Sequence, residues 1–376
     1  VRVEATGENE NKVVRVRGDL TNTKRKLAEG KLTIGYIGGS ITDARPGHNW
    51  PEPVTRWIVA NYPGARIIVE NAGIGATGSD LASFRAKRDL IDRGCDLVFV
   101  EFAVNDNNTP TERRKKTREG LLRQLLASGT TDVVLVYTYC REMYEPMMEG
   151  RMPPSIAEFE ELAEHYGLSS VWMGLHALNE VKAGLLRWEE WLPDGLHPTE
   201  RGSFSYGSSV IGFLQKALEG EGEDRGAGAA SEGRNLPQPL DPGNWEQVAF
   251  VPFEDVRTEG PWSIRRWVTL EWIDRALSTS AVGSKLYFSF EGRGLALGFD
   301  FGQLSAECRY RIDGGEWQAT ARQRPEWCGP SGWLKTEIFA DDLPQGRHEV
   351  ELEVIHGNKP DCGGTRFDLA YIGVVR

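Results

Sequence analysis

Between residues 31 and 218 apolar runs with the β-branched and aromatic content of strands take turns with stretches of helical period. The strand-like runs are 32 to 37, 65 to 70, 96 to 102, 132 to 138 and 169 to 173. The helix-like stretches lie near 50 to 61, 79 to 92, 112 to 127, 155 to 166, 175 to 188 and 201 to 218. Such alternation builds βαβ units, and successive βαβ units require a mostly parallel sheet with helices over both faces. Ahead of it, residues 1 to 30 are polar and mixed, and the alternating stretch Val13 to Val16 predicts an edge strand. These first 30 residues are expected to form an extension packed on the α/β domain at 31–218.

The pattern then changes twice. Residues 219 to 244 hold few apolar residues and many Gly, Glu and Pro, the composition of a linker or mobile loop. From Trp245 to Arg376 short alternating strands follow one another, among them SKLYFSFEG, GLALGFDFG and RHEVELEVI, and Asp313-Gly314-Gly315 predicts a hairpin. About 130 residues of this kind predict a β-sandwich. A chain of 376 residues is long enough for two cores.

Composition narrows the function classes. The formal net charge of -11 disfavours nucleic acid as a partner, because phosphate binding needs the opposite sign. The run Arg113 to Lys116 is the local exception and reads as a solvated helix face. No run reaches the roughly 18 apolar residues of a membrane helix, so no membrane partner is expected. Five cysteines without C-x-x-C spacing favour a reducing cytoplasm and no zinc or other cofactor. A leader removed ahead of Val1 would leave no trace, so secretion stays open. Association into a homo-oligomer is compatible with this composition.

The chemistry concentrates in four places. The first predicted strand stops at Gly38-Gly39, immediately before Ser40, which puts a hydroxyl at a strand's carboxyl end, where ligands sit in open α/β sheets. The paired glycines are expected to serve a sharp turn. A serine nucleophile needs a base and a group that orients the base. In WLPDGLHPTERG, Asp194 and His197 stand three residues apart between two prolines, a spacing at which the carboxylate reaches one ring nitrogen and leaves the other for a hydroxyl. His48 and His176 have no acid at so suggestive a spacing. Oxyanion donors besides the Ser40 N–H are expected from Gly75, in the loop after the second strand, and Asn105, after the third. A glycine also stands at position 73, so the donor is open between Gly73 and Gly75. As a competing reading, Gly73 to Gly78 matches the dinucleotide pattern G-x-G-x-x-G, with Glu101 at the end of the next strand. That motif follows the second strand instead of the first and leaves Ser40, Asn105, Asp194 and His197 unexplained.

GGSIT around Ser40, the glycine loop with Gly75, AVND around Asn105 and DGLHP with Asp194 and His197 resemble, in order, the four sequence blocks of the SGNH (GDSL-like) hydrolases. The resemblance covers residues 31 to 218. It implies a flavodoxin-like α/β/α sandwich with Ser40 as nucleophile, His197 as base, Asp194 as its partner, and Gly75 and Asn105 completing the oxyanion hole. The chain departs from G-D-S-L in carrying Gly39 where the acid stands, and the G-x-S-x-G elbow of the α/β-hydrolases is absent. The C-terminal segment is similar to jelly-roll modules that accompany carbohydrate-active enzymes. Of twelve tryptophans, Trp262, Trp267, Trp272, Trp317, Trp327 and Trp333 fall there. Trp327 and Trp333, in a Gly/Pro-rich loop, are the candidates for stacking on sugar, and Trp188 and Trp191 are candidates for a pocket wall. The expectation is a serine esterase that removes short acyl groups, acetyl first, from carbohydrate hydroxyls, with an acylated oligosaccharide or other small ester as substrate. A lipase acting on non-sugar esters and a non-catalytic glycan-binding protein are the alternatives.

Overall fold

The computed structural model describes residues 12–43, 49–219, 236–267 and 273–376, which divide into two units, Val1–Glu246 and Gln247–Arg376. The first unit runs β1 (Val14–Arg15), α1 (Thr21–Ala28), β2 (Lys31–Gly38), α2 (Pro51–Asn61), β3 (Arg66–Gly73), α3 (Ser79–Ala86) and β4 (Leu97–Glu101). It continues with α4 (Thr111–Leu126), β5 (Asp132–Val136), α5 (Tyr144–Met148), α6 (Pro154–Tyr166), β6 (Ser169–Val171), α7 (Met173–Lys182), α8 (Trp188–Trp191) and α9 (Glu200–Glu219). The sheet order is β1-β6-β5-β4-β2-β3. All pairs are parallel except β1 on β6, so the alternating stretch near Val14 supplies the edge strand expected of it.

Every residue of β4 is buried, which requires cover on both faces of the sheet. Helices α2 and α7 pack on α9, and α3 and α6 on α4. Among the parallel strands the chain reverses direction of travel between β2 and β4, since β3 lies outside β2 and the later strands lie beyond β4. This flavodoxin-like order leaves a crevice at the carboxyl ends of β2 and β4, the place where such sheets take ligands.

Three readings of the sequence are corrected within this unit. The helix expected over 175–188 ends at Lys182, because Gly184 turns the chain at φ 71°, and Trp188 opens a separate turn of helix. On the basic run, Arg114 is buried and makes a bidentate pair with Glu158 (2.5 and 2.6 Å), so part of that face packs on α6. Residues 236–244, the far end of the expected linker, and Trp245 and Glu246, expected in the second domain, are tied to the first unit. The buried Glu119 carboxylate on α4 accepts the N–H groups of Leu240 (2.7 Å) and Asp241 (2.8 Å), and the Trp245 ring is fully buried beside Phe84.

The second unit is a sandwich of two antiparallel sheets. Its strands are β7 (Val248–Phe250), β8 (Arg257–Glu259), β9 (Ser263–Arg266), β10 (Arg275–Thr279), β11 (Lys285–Gly292) and β12 (Gly294–Phe301), followed by β13 (Glu307–Ile312), β14 (Gln318–Ala319), β15 (Trp333–Ala340), β16 (Gly346–Ile355) and β17 (Phe367–Val375). One sheet is ordered β15-β12-β17-β10-β9, with β7 also on β17; the other is β14-β13-β16-β11-β8. Alternate residues meet in the core: Leu286, Phe288 and Phe290 of β11 and Val350, Leu352 and Val354 of β16 face Leu295, Leu297 and Phe299 of β12. The hairpin expected at Asp313 joins β13 to β14, with Asp313 and Gly314 both at positive φ.

Candidate active site

Ser40 stands at the carboxyl end of β2, two residues past Gly38. Its hydroxyl lies 2.9 Å from His197 Nε2, and His197 Nδ1 lies 2.8 Å from Asp194 Oδ2. The second Asp194 oxygen accepts the backbone N–H of Leu196 (2.8 Å) and of His197 (2.7 Å), so the carboxylate shapes the turn that carries the imidazole as well as orienting the ring. With Asp194 as acceptor the ring proton sits on Nδ1, and Nε2 accepts from the Ser40 hydroxyl. Partial burial pushes the Asp194 carboxyl up, but the hydrogen bonds from the His197 ring and from the His197 and Leu196 N–H groups outweigh it, and the group is held below the ordinary carboxylate value. The His197 and Asp194 side chains are each about half exposed, at 49% and 54%.

Gly195, between them, has φ 80°, and the Arg141 guanidinium rests on its open side: a Cβ there would stand 2.9 Å from Arg141 Nη2. Arg141 begins a turn after β5, and nothing in the local sequence flags it, because the contact joins segments more than fifty residues apart.

The residues expected as oxyanion donors lie on the loops that follow β2, β3 and β4. The Ser40 and Gly75 N–H groups have no protein acceptor among the described residues, whereas the Gly73 N–H donates to Asn71 Oδ1 at 2.9 Å. Of the two glycines, only Gly75 therefore has a donor to spare. Gly75 sits in the turn between β3 and α3, next to Ala76 at φ 59°. Asn105, in the loop after β4, lays its carboxamide against the Cα of Gly39: a Cβ at residue 39 would come within 2.0 Å of Asn105 Oδ1 and 2.7 Å of Nδ2.

This corrects the expectation for Gly38-Gly39. Neither glycine is in the positive-φ region. A Cβ at Gly38 would meet Thr42 Oγ1 at 2.5 Å, and one at Gly39 would displace Asn105. The pair serves close packing instead of a sharp turn.

Beneath the turn, the Trp50 indole N–H donates to Thr42 Oγ1 (3.0 Å), and the Thr42 hydroxyl donates to the buried Glu101 (3.1 Å). Trp50 itself is wedged edge-on against Tyr36 and Phe99. With Glu101 fully buried and occupied by hydroxyl donors, it cannot meet a ribose, and the dinucleotide reading of Gly73 to Gly78 loses its acidic partner.

The remaining candidates fall apart in space and in character. Trp191 is fully buried against Tyr139 and Tyr206, a core residue. Trp188 is partly exposed and stacks on Trp191 with ring centroids 5.0 Å apart, six residues before Asp194 in the chain. In the second unit Trp327 is 61% exposed, and its ring centroid lies 6.3 Å from that of the half-buried Trp333. Trp262 packs on Phe367, Trp267 is buried, and the face of Trp317 is covered by Arg309 and Arg311. His176 faces Glu180 one turn along α7 at 3.9 Å, and His48 and Trp272 lie outside the described residues. Among the described residues no cluster of His, Cys, Asp and Glu suits a metal ion, all five cysteines are free thiols, and no helix is long and apolar enough to cross a membrane.

Residues 36–203 match the GDSL-like lipase/acylhydrolase family. None of the curated proteins compared matches the chain. Among solved structures, a two-domain esterase active on acetylated mannans is similar at 24% identity and TM-score 0.81, over 97% of this chain and 98% of that one. The same kind of esterase co-crystallized with mannopentaose is similar at 24% identity and TM-score 0.78, over 97% of each chain. At that identity the likeness is one of fold, and it extends through both units. The order of the four blocks, the strand order that brings them to one edge and the family match agree: residues 36–203 are a domain of the GDSL-like lipase/acylhydrolase family.

Proposed function

We propose that the protein is a serine esterase that removes acetyl groups from carbohydrate hydroxyls through an acyl-serine intermediate. The observation that carries this reading is the linear chain Ser40 Oγ, His197 Nε2, His197 Nδ1, Asp194 Oδ2, with contacts of 2.9 and 2.8 Å. His197 takes the Ser40 proton as Oγ adds to the ester carbonyl. The Ser40 and Gly75 N–H groups and the Asn105 carboxamide receive the oxyanion, and His197 then protonates the departing sugar oxygen. A water deprotonated by the same ring adds to the acyl-serine, and collapse returns Ser40 and releases acetate.

A half-exposed His197 and Asp194 suit a bulky, solvated alcohol. The fold shared across both units with esterases active on acetylated mannans makes acetylated manno-oligosaccharides the first substrates to try. In the second unit, the exposed Trp327 offers a ring face to a pyranose.

The test is release of acetate from a panel of acetylated oligosaccharides and from an aryl acetate. Ser40→Ala should abolish both. Trp327→Ala should weaken equilibrium binding of the oligosaccharide and leave aryl acetate hydrolysis unchanged. Retention of aryl acetate hydrolysis by Ser40→Ala would sink the reading, and decanoate esters turning over faster than acetates would favour a lipase on non-sugar esters.

A further inference from the structure

Residue 39 is a glycine, so the position just before Ser40 offers no side chain to hold the turn. The backbone supplies little more: the Gly39 carbonyl accepts the N–H groups of Thr42 (3.1 Å) and Asp43 (3.0 Å), and the Ser40 N–H has no protein acceptor among the described residues. What holds the turn from below comes from the neighbouring strand. Glu101 is the last residue of β4, pairs with Gly38 in the ladder and is fully buried. One of its oxygens accepts the Thr138 hydroxyl at 2.7 Å and the other the Thr42 hydroxyl at 3.1 Å, and the Gly39 N–H points to the same carboxyl.

We propose that Glu101 is a positioning residue for the nucleophile: its carboxylate, reaching from β4, anchors the Gly39–Thr42 turn from beneath and so aims Ser40 Oγ at His197. The role rests on the reading of Ser40 as the nucleophile and adds to it a residue that never touches substrate.

Two further contacts fix the direction of the anchor. Trp50 donates its indole N–H to Thr42 Oγ1, which commits that hydroxyl's own proton to Glu101. Asn71 donates to the Thr42 carbonyl at 2.9 Å, so the far end of the turn is held on the β3 side as well. Gly38 leaves the space that Thr42 needs, since a Cβ there would stand 2.5 Å from Thr42 Oγ1. A buried carboxyl is expensive unless its oxygens are paired, and here each oxygen accepts a hydroxyl, one of them from the turn itself. Burial pushes the Glu101 carboxyl up to about 7; the bonds from Thr138, Thr42 and Gly39 work the other way, and the nearby Asp106 adds to the upward push.

The experiment compares the full-length wild type with Glu101→Ala, Glu101→Gln and Thr138→Val by reaction with an aryl phosphonate. It reads the rate constant of labelling, its final stoichiometry and the labelled peptide, together with kcat and KM for an aryl acetate. A loss of folded protein lowers stoichiometry, whereas a misaimed nucleophile lowers the rate constant of molecules that still label fully. Glu101→Ala should label Ser40 to full stoichiometry but about 100-fold more slowly, with the loss in kcat and KM little changed, the scale expected of a small misplacement of a reacting atom. Glu101→Gln, which keeps the shape and part of the hydrogen bonding, should recover most of that rate. Should Glu101→Ala fail to fold, Thr138→Val decides: a slower rate constant supports the anchor, and an unchanged one overturns it. Wild-type labelling at a residue other than Ser40 overturns the nucleophile assignment and this proposal with it. Labelling of Ser40 in Glu101→Ala at the wild-type rate overturns the proposal alone.

Discussion

Asn105 and Gly39 share one small volume, and their chemistry is therefore inseparable. On the proposed mechanism, Asn105→Ala removes one oxyanion donor and should cost about 100-fold in kcat. A methyl at Gly39 would stand 2.0 Å from Asn105 Oδ1, so Gly39→Ala must expel the same carboxamide. Steady-state kinetics on an aryl acetate should show Gly39→Ala losing about as much kcat as Asn105→Ala, and the double variant little more than either, because contacting sites are not additive. Independent, multiplying losses would contradict the shared site. The contacts among Ser40, His197 and Asp194 were anticipated from the sequence by taking its blocks together: a hydroxyl at a strand end, followed in order by Asn105 and by an acid and an imidazole three residues apart. Glu101 and the reason for Gly39 were not, since both depend on contacts between strands that only the sheet order creates.

At the scale of elements, the parallel strands of the first unit and most of its long helices were readable from periodicity, whereas the short helices α1 and α5 and the fate of residues 236–246 were not. Gly120 shows why. By helix propensity alone, Gly120→Ala inside α4 should stabilise by about 1 kcal/mol. In the folded chain an added Cβ would lie 2.3 Å from the Trp245 carbonyl carbon and 2.6 Å from its Cα, backbone atoms that cannot swing aside. The substitution should instead destabilise by about 1–3 kcal/mol, as overpacking does. A denaturant melt followed by Trp fluorescence gives the sign, and a gain in stability would mean that residues 236–246 do not seat on α4.

In the second unit a hairpin carries its own titration. His348 Nδ1 lies 2.6 Å from Asp313 Oδ2, and its Nε2 faces the Pro344 carbonyl at 2.8 Å. The bond to Asp313 raises His348 above its ordinary value, and the bond from His348 lowers Asp313. The histidine's share of stability is complete below its unfolded value, about 6.5, and is lost as pH rises through the raised folded value. The share of Asp313 is present above its unfolded value, about 3.9, and is lost as pH falls through the lowered one. Melting temperature should therefore fall more steeply in the wild type than in His348→Asn as pH rises above about 6.5; equal slopes would show that the pair contributes nothing.

For the molecule as a whole, the change of pattern at Trp245 anticipated two cores, and the structure divides the chain between Glu246 and Gln247. Each unit has a continuous core of its own, the first around β2, β4 and β5 and the second between its two sheets. Residues 247–376 produced alone should consequently unfold in one cooperative transition. A non-cooperative melt would show that this core depends on the first unit.

The proposed mechanism turns on one covalent bond, between Ser40 Oγ and the acetyl carbon. Rapid quenching of the full chain during turnover of an aryl acetate, followed by peptide mass spectrometry, reads that bond directly. The account predicts an acetyl group on the peptide bearing Ser40, absent from Ser40→Ala and accumulating in His197→Ala only at a greatly reduced rate. An acetyl group on another residue, or full turnover by Ser40→Ala, would contradict it.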